Sequence, residues 1–125
     1  MGKKITDVEW LPKGGPYSHA VEANGFLFLS GMVPMDVEKD LAIRDDIKSA
    51  TALVLDNIKK LLAASGSDLE NAVKVTVFLR DMSDFQAMNE VYASYFPDNR
   101  PARSCVAVRE LPLNFPIEIE LVALM

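Results

Sequence analysis

Two strand-like runs close the chain, RPARSCVAV at residues 100–108 and PIEIELVA at residues 116–123. Alternate side chains of a β-strand point to opposite faces of a sheet. In the second run, Ile117 and Ile119 share one face, whereas Glu118 and Glu120 share the other. This alternation predicts a strand with one buried face and with acidic residues opposite the core.

The same alternation in the first run predicts which side chains meet the helices. Val106 and Val108 belong to the helix-packed layer, and Arg103 and Cys105 point the opposite way. Arg103 and Glu118 are then expected to project from one face of the sheet, the face away from the helices. Charges at such positions need a structural or a functional reason.

Apolar residues accompany these charges on the predicted outer face. Val122 and Leu124 alternate with the core residues of the last strand, so we expect another copy of the chain to cover this face. The sequence therefore predicts a homo-oligomer. If this face is covered, Arg103 either pairs with Glu118 or binds a ligand. Arg103 could also lie at the exposed rim of the interface, and the spacing leaves all three roles open.

The remaining sequence predicts a mixture of strands and helices. The pair Asn24-Gly25 is typical of a type I′ turn, so a β-hairpin is expected around it. The predicted elements are a strand at 4–9, hairpin strands at 20–23 and 26–30, a connection at 31–41, a helix at 43–64, a strand at 72–80, a helix at 84–96 capped at Ser83, and the two closing strands. This order indicates one α+β domain over residues 1–125, with helices on one side of a sheet.

Composition excludes several classes of function. The chain has 125 residues and a net charge of −5, which disfavours binding to nucleic acid. Its one cysteine and one histidine make neither a disulfide nor a metal site. No apolar run is long enough to span a membrane and no signal peptide is recognisable, so we expect no membrane partner and a cytoplasmic location.

Seven short motifs occur in order along nearly the whole chain. They are GPYS at 15–18, SG at 30–31, DNI at 56–58, VKVTVFL at 73–79, MNEVY at 88–92, PARSCV at 101–106 and IEIE at 117–120. In this combination the chain resembles the Rid family (YjgF/YER057c/UK114), specifically its RidA-type 2-iminobutanoate/2-iminopropanoate deaminases. The resemblance implies a chorismate-mutase-like α+β fold, with a mixed β-sheet packed on one face by two α-helices. It also implies a homotrimer with active sites between subunits and no cofactor.

The resemblance also assigns roles to particular residues. Arg103 of the PARS motif is expected to hold a substrate carboxylate, and Glu118 to orient or activate a water molecule. The other predicted substrate-binding residues are Tyr17, which walls the site, Cys105, which contributes backbone or side-chain contacts, Asn89 and Gly31. Where the family commonly has glutamine, this chain has His19 and Met32, and its 31–44 connection is short. The pocket lining is therefore expected to differ.

These implied roles predict the hydrolysis of reactive 2-enamino and 2-imino acids to 2-keto acids and ammonia. The substrates of this class include 2-aminoacrylate, 2-iminopropanoate and 2-iminobutanoate. A planar guanidinium such as that of Arg103 binds a carboxylate through two parallel hydrogen bonds. A protonated imine is already electrophilic at carbon, so a positioned water and a proton acceptor such as Glu118 suffice for the reaction.

Other functions stay open at this point. Some members of the family are described as endoribonucleases or translation inhibitors. The same arginine is also compatible with a non-catalytic regulatory module that holds a 2-keto acid. Cys105 is a candidate nucleophile, because a nearby arginine favours the thiolate form. No histidine in its segment offers a general base.

Overall fold

The computed structural model describes residues 2–125 and contains a six-stranded β-sheet with two helices on one face. Its elements are β1 (Lys4–Thr6), β2 (Ala20–Ala23), β3 (Phe26–Met32), β4 (Met35–Asp36), β5 (Leu41–Ala42), α1 (Ile47–Ala64), β6 (Ala72–Leu79), α2 (Phe85–Tyr95), β7 (Ala102–Ala107) and β8 (Ile117–Leu124). The predicted α+β class, with two helices packed on a mixed sheet, is confirmed. No helix among these residues is long and apolar enough to cross a membrane.

The sheet is mixed because β7 joins it in parallel. The strand order is β1-β2-β3-β8-β6-β7, and every neighbouring pair except β6 with β7 is antiparallel. Parallel neighbours need a crossover connection, which α2 supplies between β6 and β7. The small β4–β5 hairpin lies outside this sheet, in a segment for which the sequence predicted only a connection.

The core lies between the sheet and the helices. In β8, Ile117, Ile119 and Leu121 are buried, so the alternation predicted for this strand is confirmed. Each such side chain stabilises the fold by about 1.5–3 kcal/mol when fully buried. The helix α1 contributes the facing apolar residues, which include Val54, Leu55, Ile58, Leu61 and Leu62.

The orientation predicted for β7 is wrong. Strand β7 pairs with β6 in a register that sets Arg103 beside Val75 and Cys105 beside Val77. Paired residues share a face of the sheet, and both valines are fully buried in the core. Arg103 and Cys105 therefore lie on the helix side, whereas Val106 lies on the other face and is 46% exposed.

The position of β7 at the edge of the sheet explains this difference. An edge strand is covered less completely than a central one, so its apolar residues do not mark the buried face. Glu118 pairs with Phe78 on the face away from the helices, as predicted. The sheet thus separates Arg103 from Glu118. Within residues 2–125 no ion pair joins them, so the salt-bridge alternative is wrong for a single chain.

Aspartate caps set where the helical segments begin. The first helix begins at Ile47 instead of residue 43, because the Asp46 carboxylate accepts hydrogen bonds from the backbone N–H groups of Lys48 and Ser49. The second follows a single 3₁₀ turn in which the Asp81 carboxylate accepts from the Ser83 N–H, so Ser83 is not the cap. The first strand is shorter than predicted and ends at Thr6.

The β2–β3 hairpin turns on two residues in the left-handed region. Asn24 has a φ of 52° and Gly25 a φ of 80°, as the predicted type I′ turn requires. A Cβ added to Gly25 would meet no other atom within 4 Å. Only the backbone conformation therefore opposes a larger residue at this position.

We expect Gly25→Ala to lower the free energy of unfolding by about 1 kcal/mol, because an L-residue resists the left-handed conformation. Gly14→Ala is a matched control, since its added Cβ also has open space and Gly14 has no positive φ. Urea unfolding at equal protein concentrations measures both variants. Equal midpoints for the two variants would contradict the turn assignment.

Candidate active site

Arg103 lies in a cavity between the edge strand β7 and helix α2. We call this cavity, of about 320 Å³, the arginine pocket. Its lining residues are Asn89, Tyr92, Ala93, Arg100, Pro101 and Arg103. Two predicted site residues, Arg103 and Asn89, are therefore brought together here, and Cys105 follows two positions along the same face of β7.

Side chains of α2 hold the guanidinium group of Arg103. Its Nη1 donates a hydrogen bond of 2.8 Å to Oδ1 of Asn89. Its central carbon lies 4.6 Å from the ring centroid of Tyr92 and 5.7 Å from that of Phe85. Cation–π contacts contribute about 0.5–2 kcal/mol each. Together with the bond to Asn89, they fix both the position and the plane of the guanidinium.

The guanidinium retains donors for a ligand. It carries five N–H groups, and within residues 2–125 Arg103 uses only Nη1, toward Asn89 and the sulfur of Met88. Two parallel N–H groups are the arrangement that a carboxylate accepts best. The arginine pocket can therefore bind a carboxylate without first breaking the contacts that hold Arg103.

The aromatic support of Arg103 is not evident from the sequence. Phe85, Met88 and Tyr92 follow helical spacing, which predicts ordinary core packing. Tyr92 is 7% exposed, and its hydroxyl has no hydrogen-bond partner among the described residues. Burial raises the pKa of Tyr92, so the hydroxyl stays neutral. The one feature of the sequence that could have indicated this support is Asn89, a predicted site residue that lies in the same short helical segment.

Glu118 lies in a different pocket, on the face of the sheet away from the helices. We call this cavity, of about 450 Å³, the glutamate pocket. Its lining residues are Pro12, Gly14, Tyr17, Ser30, Gly31, Val33, Met35, Pro112, Leu113, Glu118 and Glu120. The predicted residues Tyr17, Gly31 and Glu118 are thus brought together, at a site separate from Arg103.

Gly31 makes room for the Glu118 side chain. A Cβ at Gly31 would overlap the Glu118 carboxylate and would lie 3.1 Å from its Cγ. The φ of Gly31 is not in the left-handed region, so glycine is needed here for space and not for backbone freedom. The absence of a side chain at Gly31 lets the carboxylate lie against strand β3.

The environment of Glu118 favours proton uptake. Burial raises the pKa of the Glu118 carboxyl, and the negative charge of Glu120 raises it further. No ion pair of the described residues involves Glu118. A carboxylate with a raised pKa and no partner is a suitable proton acceptor for catalysis.

Buried His19 supports the loop that carries Tyr17. Its Nδ1 accepts a hydrogen bond from the Val8 N–H, and its Nε2 lies 3.1 Å from the Pro12 carbonyl oxygen. With Nδ1 acting as the acceptor, Nε2 is the ring nitrogen that can donate to the Pro12 carbonyl oxygen. The Tyr17 hydroxyl in turn accepts a bond of 3.3 Å from the Gly14 N–H. His19 therefore holds the rim of the glutamate pocket without lining it.

Met32, the other position predicted to alter the pocket lining, is also buried. It is part of the hydrophobic core and does not line the glutamate pocket. His19 and Met32, which stand where the family commonly has glutamine, therefore support the glutamate pocket from beneath and do not line it. The apolar pocket residues Pro112 and Leu113, which the sequence did not single out, line it directly.

Cys105 does not have the environment of a nucleophile. Its side chain is partly buried against the core, and burial raises the pKa of the thiol although Arg103 opposes this effect. A catalytic thiol instead needs a lowered pKa, since the thiolate is the reactive form. Cys105 is therefore a neutral, partly buried residue that packs against the core and lines neither pocket.

We expect the Cys105 thiol to react slowly with iodoacetamide at pH 7 and to accelerate only as the pH rises past the ordinary thiol value of 9.0. The measurement is the alkylation rate of the native protein between pH 6 and 10, by mass spectrometry. The urea-unfolded protein is the control and should follow the profile of free cysteine. Fast alkylation of the native protein at pH 7 would contradict the neutral thiol.

Comparisons with known proteins agree on one family. The family model described as Endoribonuclease L-PSP matches residues 10–125. A RutC family protein of Pyrococcus horikoshii is 48% identical over 122 residues, which cover 97% of each chain. The chloroplastic Reactive Intermediate Deaminase A of Arabidopsis thaliana is 43% identical over 97% of this chain and 65% of its own length.

Solved structures lead to the same assignment. A crystal structure of Escherichia coli TdcF with bound serine superposes with a TM-score of 0.90 at 33% identity, covering 98% of both chains. The family model, the two relatives and this structure each match nearly the whole chain. The chain belongs to the Endoribonuclease L-PSP family, which is also known as the YjgF/Rid family.

Proposed function

We propose that this protein hydrolyses 2-enamino and 2-imino acids to 2-keto acids and ammonia, in active sites formed between copies of a homotrimer. The substrates are 2-aminoacrylate, 2-iminopropanoate, 2-iminobutanoate and their homologues. The observation that carries the proposal is the pair of half-sites on opposite faces of one sheet. One holds an arginine suited to a carboxylate, and the other holds a glutamate suited to accept a proton.

Separation of the half-sites supports a site shared between copies. Arg103 and Glu118 project from opposite faces of the sheet, so one small substrate cannot reach both within one chain. A second copy can bring its arginine pocket to the glutamate pocket of the first. The partner subunit then completes a site that neither copy contains alone.

An exposed apolar surface supports the association of copies. Phe26 and Phe28 of β3 lie on the outer face with Leu124 of β8, and each of these three side chains is at least 40% exposed. Contiguous apolar surface of this kind usually marks an interface. The outer face therefore offers a contact area beside the glutamate pocket, in agreement with the oligomer predicted from the sequence.

The proposed reaction assigns one task to each half-site. Arg103 binds the carboxylate of the 2-imino acid and holds C2 beside Glu118 of the neighbouring copy. Glu118 removes a proton from water as the oxygen bonds to C2, and the electron pair of the C=N bond moves to nitrogen. Glu118 passes this proton to the nitrogen and then takes the proton of the new C2 hydroxyl, so the C=O bond forms as the C–N bond breaks. A 2-keto acid and ammonia leave, and the proton on Glu118 passes to ammonia or to solvent. General acid–base catalysis of this kind increases the reaction rate by about 10²- to 10⁴-fold.

The comparisons support this choice in two respects. One relative is named Reactive Intermediate Deaminase A, and the TdcF structure holds serine, an amino acid with the carboxylate that Arg103 would bind. The cytoplasmic location stays a prediction, because relatives include proteins named as mitochondrial and chloroplastic.

RNA cleavage is the second candidate, since the matching family model is described as an endoribonuclease. The net charge of −5 and the two glutamates in the glutamate pocket oppose the binding of a polyanion. RNA cleavage that falls steeply with salt and survives Arg103→Ala would favour this candidate.

A regulatory module that only binds a 2-keto acid is the third candidate. Such a module would release no ammonia from a freshly generated imine.

We expect Arg103→Ala and Glu118→Gln each to abolish most activity, and a mixture of the two to recover part of it. Removing the charged hydrogen bonds of Arg103 should cost about 1.5–3 kcal/mol in kcat/KM. In a ring assembled at random from equal amounts, about one quarter of the sites combine an intact Arg103 with an intact Glu118. The measurement is 2-iminobutanoate hydrolysis by the co-expressed variants, with the imine supplied by threonine dehydratase.

Each variant alone and a mixture of separately purified, non-exchanging oligomers are the controls. Native mass spectrometry establishes that mixed trimers have formed. Mixed trimers without recovered activity would refute the shared site. A strictly monomeric mass by light scattering at micromolar concentration would refute it as well.

We expect Gly31→Ala to lower kcat by about tenfold or more, because its Cβ displaces the Glu118 carboxylate from the reacting carbon. The unfolding midpoint should change little, since the overlapping atoms belong to the flexible end of one side chain. Gly14→Ala is the matched control within the same pocket, because its Cβ meets no atom within 4 Å. Full activity of Gly31→Ala would show that the position of Glu118 does not limit the reaction.

A further inference from the structure

The segment at residues 111–115 forms one rim of the glutamate pocket in an unusual backbone conformation. Leu113 has a φ of 55° and Asn114 a φ of 58°, so two successive non-glycine residues lie in the left-handed region. Asparagine tolerates this conformation, but a bulky residue such as leucine does so rarely. Strain of this kind persists only where the surrounding structure imposes it, and it is frequent at functional sites.

Two arginines impose this conformation. Nε of Arg44 donates to the Leu113 carbonyl oxygen at 2.9 Å, and Nη1 of Arg80 donates to the Asn114 carbonyl oxygen at 2.7 Å. Arg80 also donates to the Arg44 carbonyl oxygen, and the Arg44 guanidinium lies 4.6 Å from the ring of buried Phe115. The rim is therefore held from below by charged hydrogen bonds and packing.

Leu113 itself contributes nothing to the core. Its side chain is 64% exposed and lines the glutamate pocket. A solitary exposed leucine needs no explanation, but this one continues an apolar wall that faces Glu118 and Glu120. The wall consists of Pro12, Tyr17, Val33, Met35, Pro112 and Leu113.

The geometry of a 2-imino acid indicates what this wall contacts. The planar C2 carries three substituents, namely the carboxylate, the nitrogen and the side chain. Under the proposed function, Arg103 takes the carboxylate and Glu118 serves the carbon and nitrogen. The side chain must then lie against the remaining lining of the pocket. Six residues of that lining are apolar or aromatic, and a methyl or methylene group is too small to contact more than a few of them.

We propose that the glutamate pocket selects 2-imino acids with large aliphatic side chains, and that Leu113 is the residue that determines this preference. The inference rests on the proposed function and adds a substrate class to it. Imines derived from leucine or methionine fit the wall, whereas 2-iminopropanoate leaves most of it uncovered. Arg44 and Arg80 act as positioning residues for Leu113.

The test compares kcat/KM for 2-imino-4-methylpentanoate and 2-iminopropanoate, both generated in place by an amino-acid oxidase. The wild type should favour the larger substrate. Leu113→Asn keeps a residue that tolerates the left-handed conformation and removes the apolar side chain, so it should lower the large-to-small ratio by about tenfold. Leu113→Gly removes the side chain and relieves the strain, and it should lower the ratio equally.

Val37→Asn is the matched control, because Val37 is an exposed apolar residue in the turn between β4 and β5 and lines neither pocket. It should leave the ratio unchanged. An unchanged ratio in both Leu113 variants, or a wild type that favours 2-iminopropanoate, would overturn the inference and leave the deaminase proposal intact. A wild type without activity on any imine would instead refute the proposed function, and this inference with it.

Discussion

The parallel pairing of β7 with β6 is the constraint on which the candidate site depends. Helix α2 carries the chain back to the edge of the sheet, and the resulting register sets Arg103 beside buried Val75. The antiparallel pairing of β8 sets Glu118 beside Phe78 on the other face. Because strand residues alternate with a period of two, neither charged group can change face without a shift of its whole strand. One sheet thus presents the arginine pocket and the glutamate pocket on opposite faces, and under the proposed function these are two half-sites that a single copy cannot unite.

The partly buried charged groups Arg103 and Glu118 have different surroundings. A buried charge is costly unless other groups replace the lost hydration. Around Arg103, Asn89 supplies an acceptor and Tyr92 supplies the electron-rich face of its ring. Around Glu118 nothing comparable is present in residues 2–125, and the cost of burial is expressed as a raised pKa. The arginine is therefore held ready for an anion, and the glutamate is held ready for a proton.

The rim of the glutamate pocket depends on side chains that do not line it. His19 fixes the loop before β2 through two backbone groups, and Arg44 and Arg80 fix the loop before β8 through two carbonyl oxygens. The two arginine contacts join segments far apart in the sequence. These supporting contacts hold the wall in position relative to Glu118.

Local patterns in the sequence predict the class of fold and most of its elements, although not the β4–β5 hairpin. Alternation in β8, helical spacing in α1 and the Asn24-Gly25 turn are local patterns, and local patterns follow from residue types alone. The order of short motifs likewise identified the family and the candidate residues. The face that Arg103 occupies follows instead from the packing of the whole chain, because the burial of an edge strand depends on which element crosses over it. The same holds for the aromatic support of Arg103, the space at Gly31 and the strained rim at Leu113, since each arises from contacts between segments that no local pattern records.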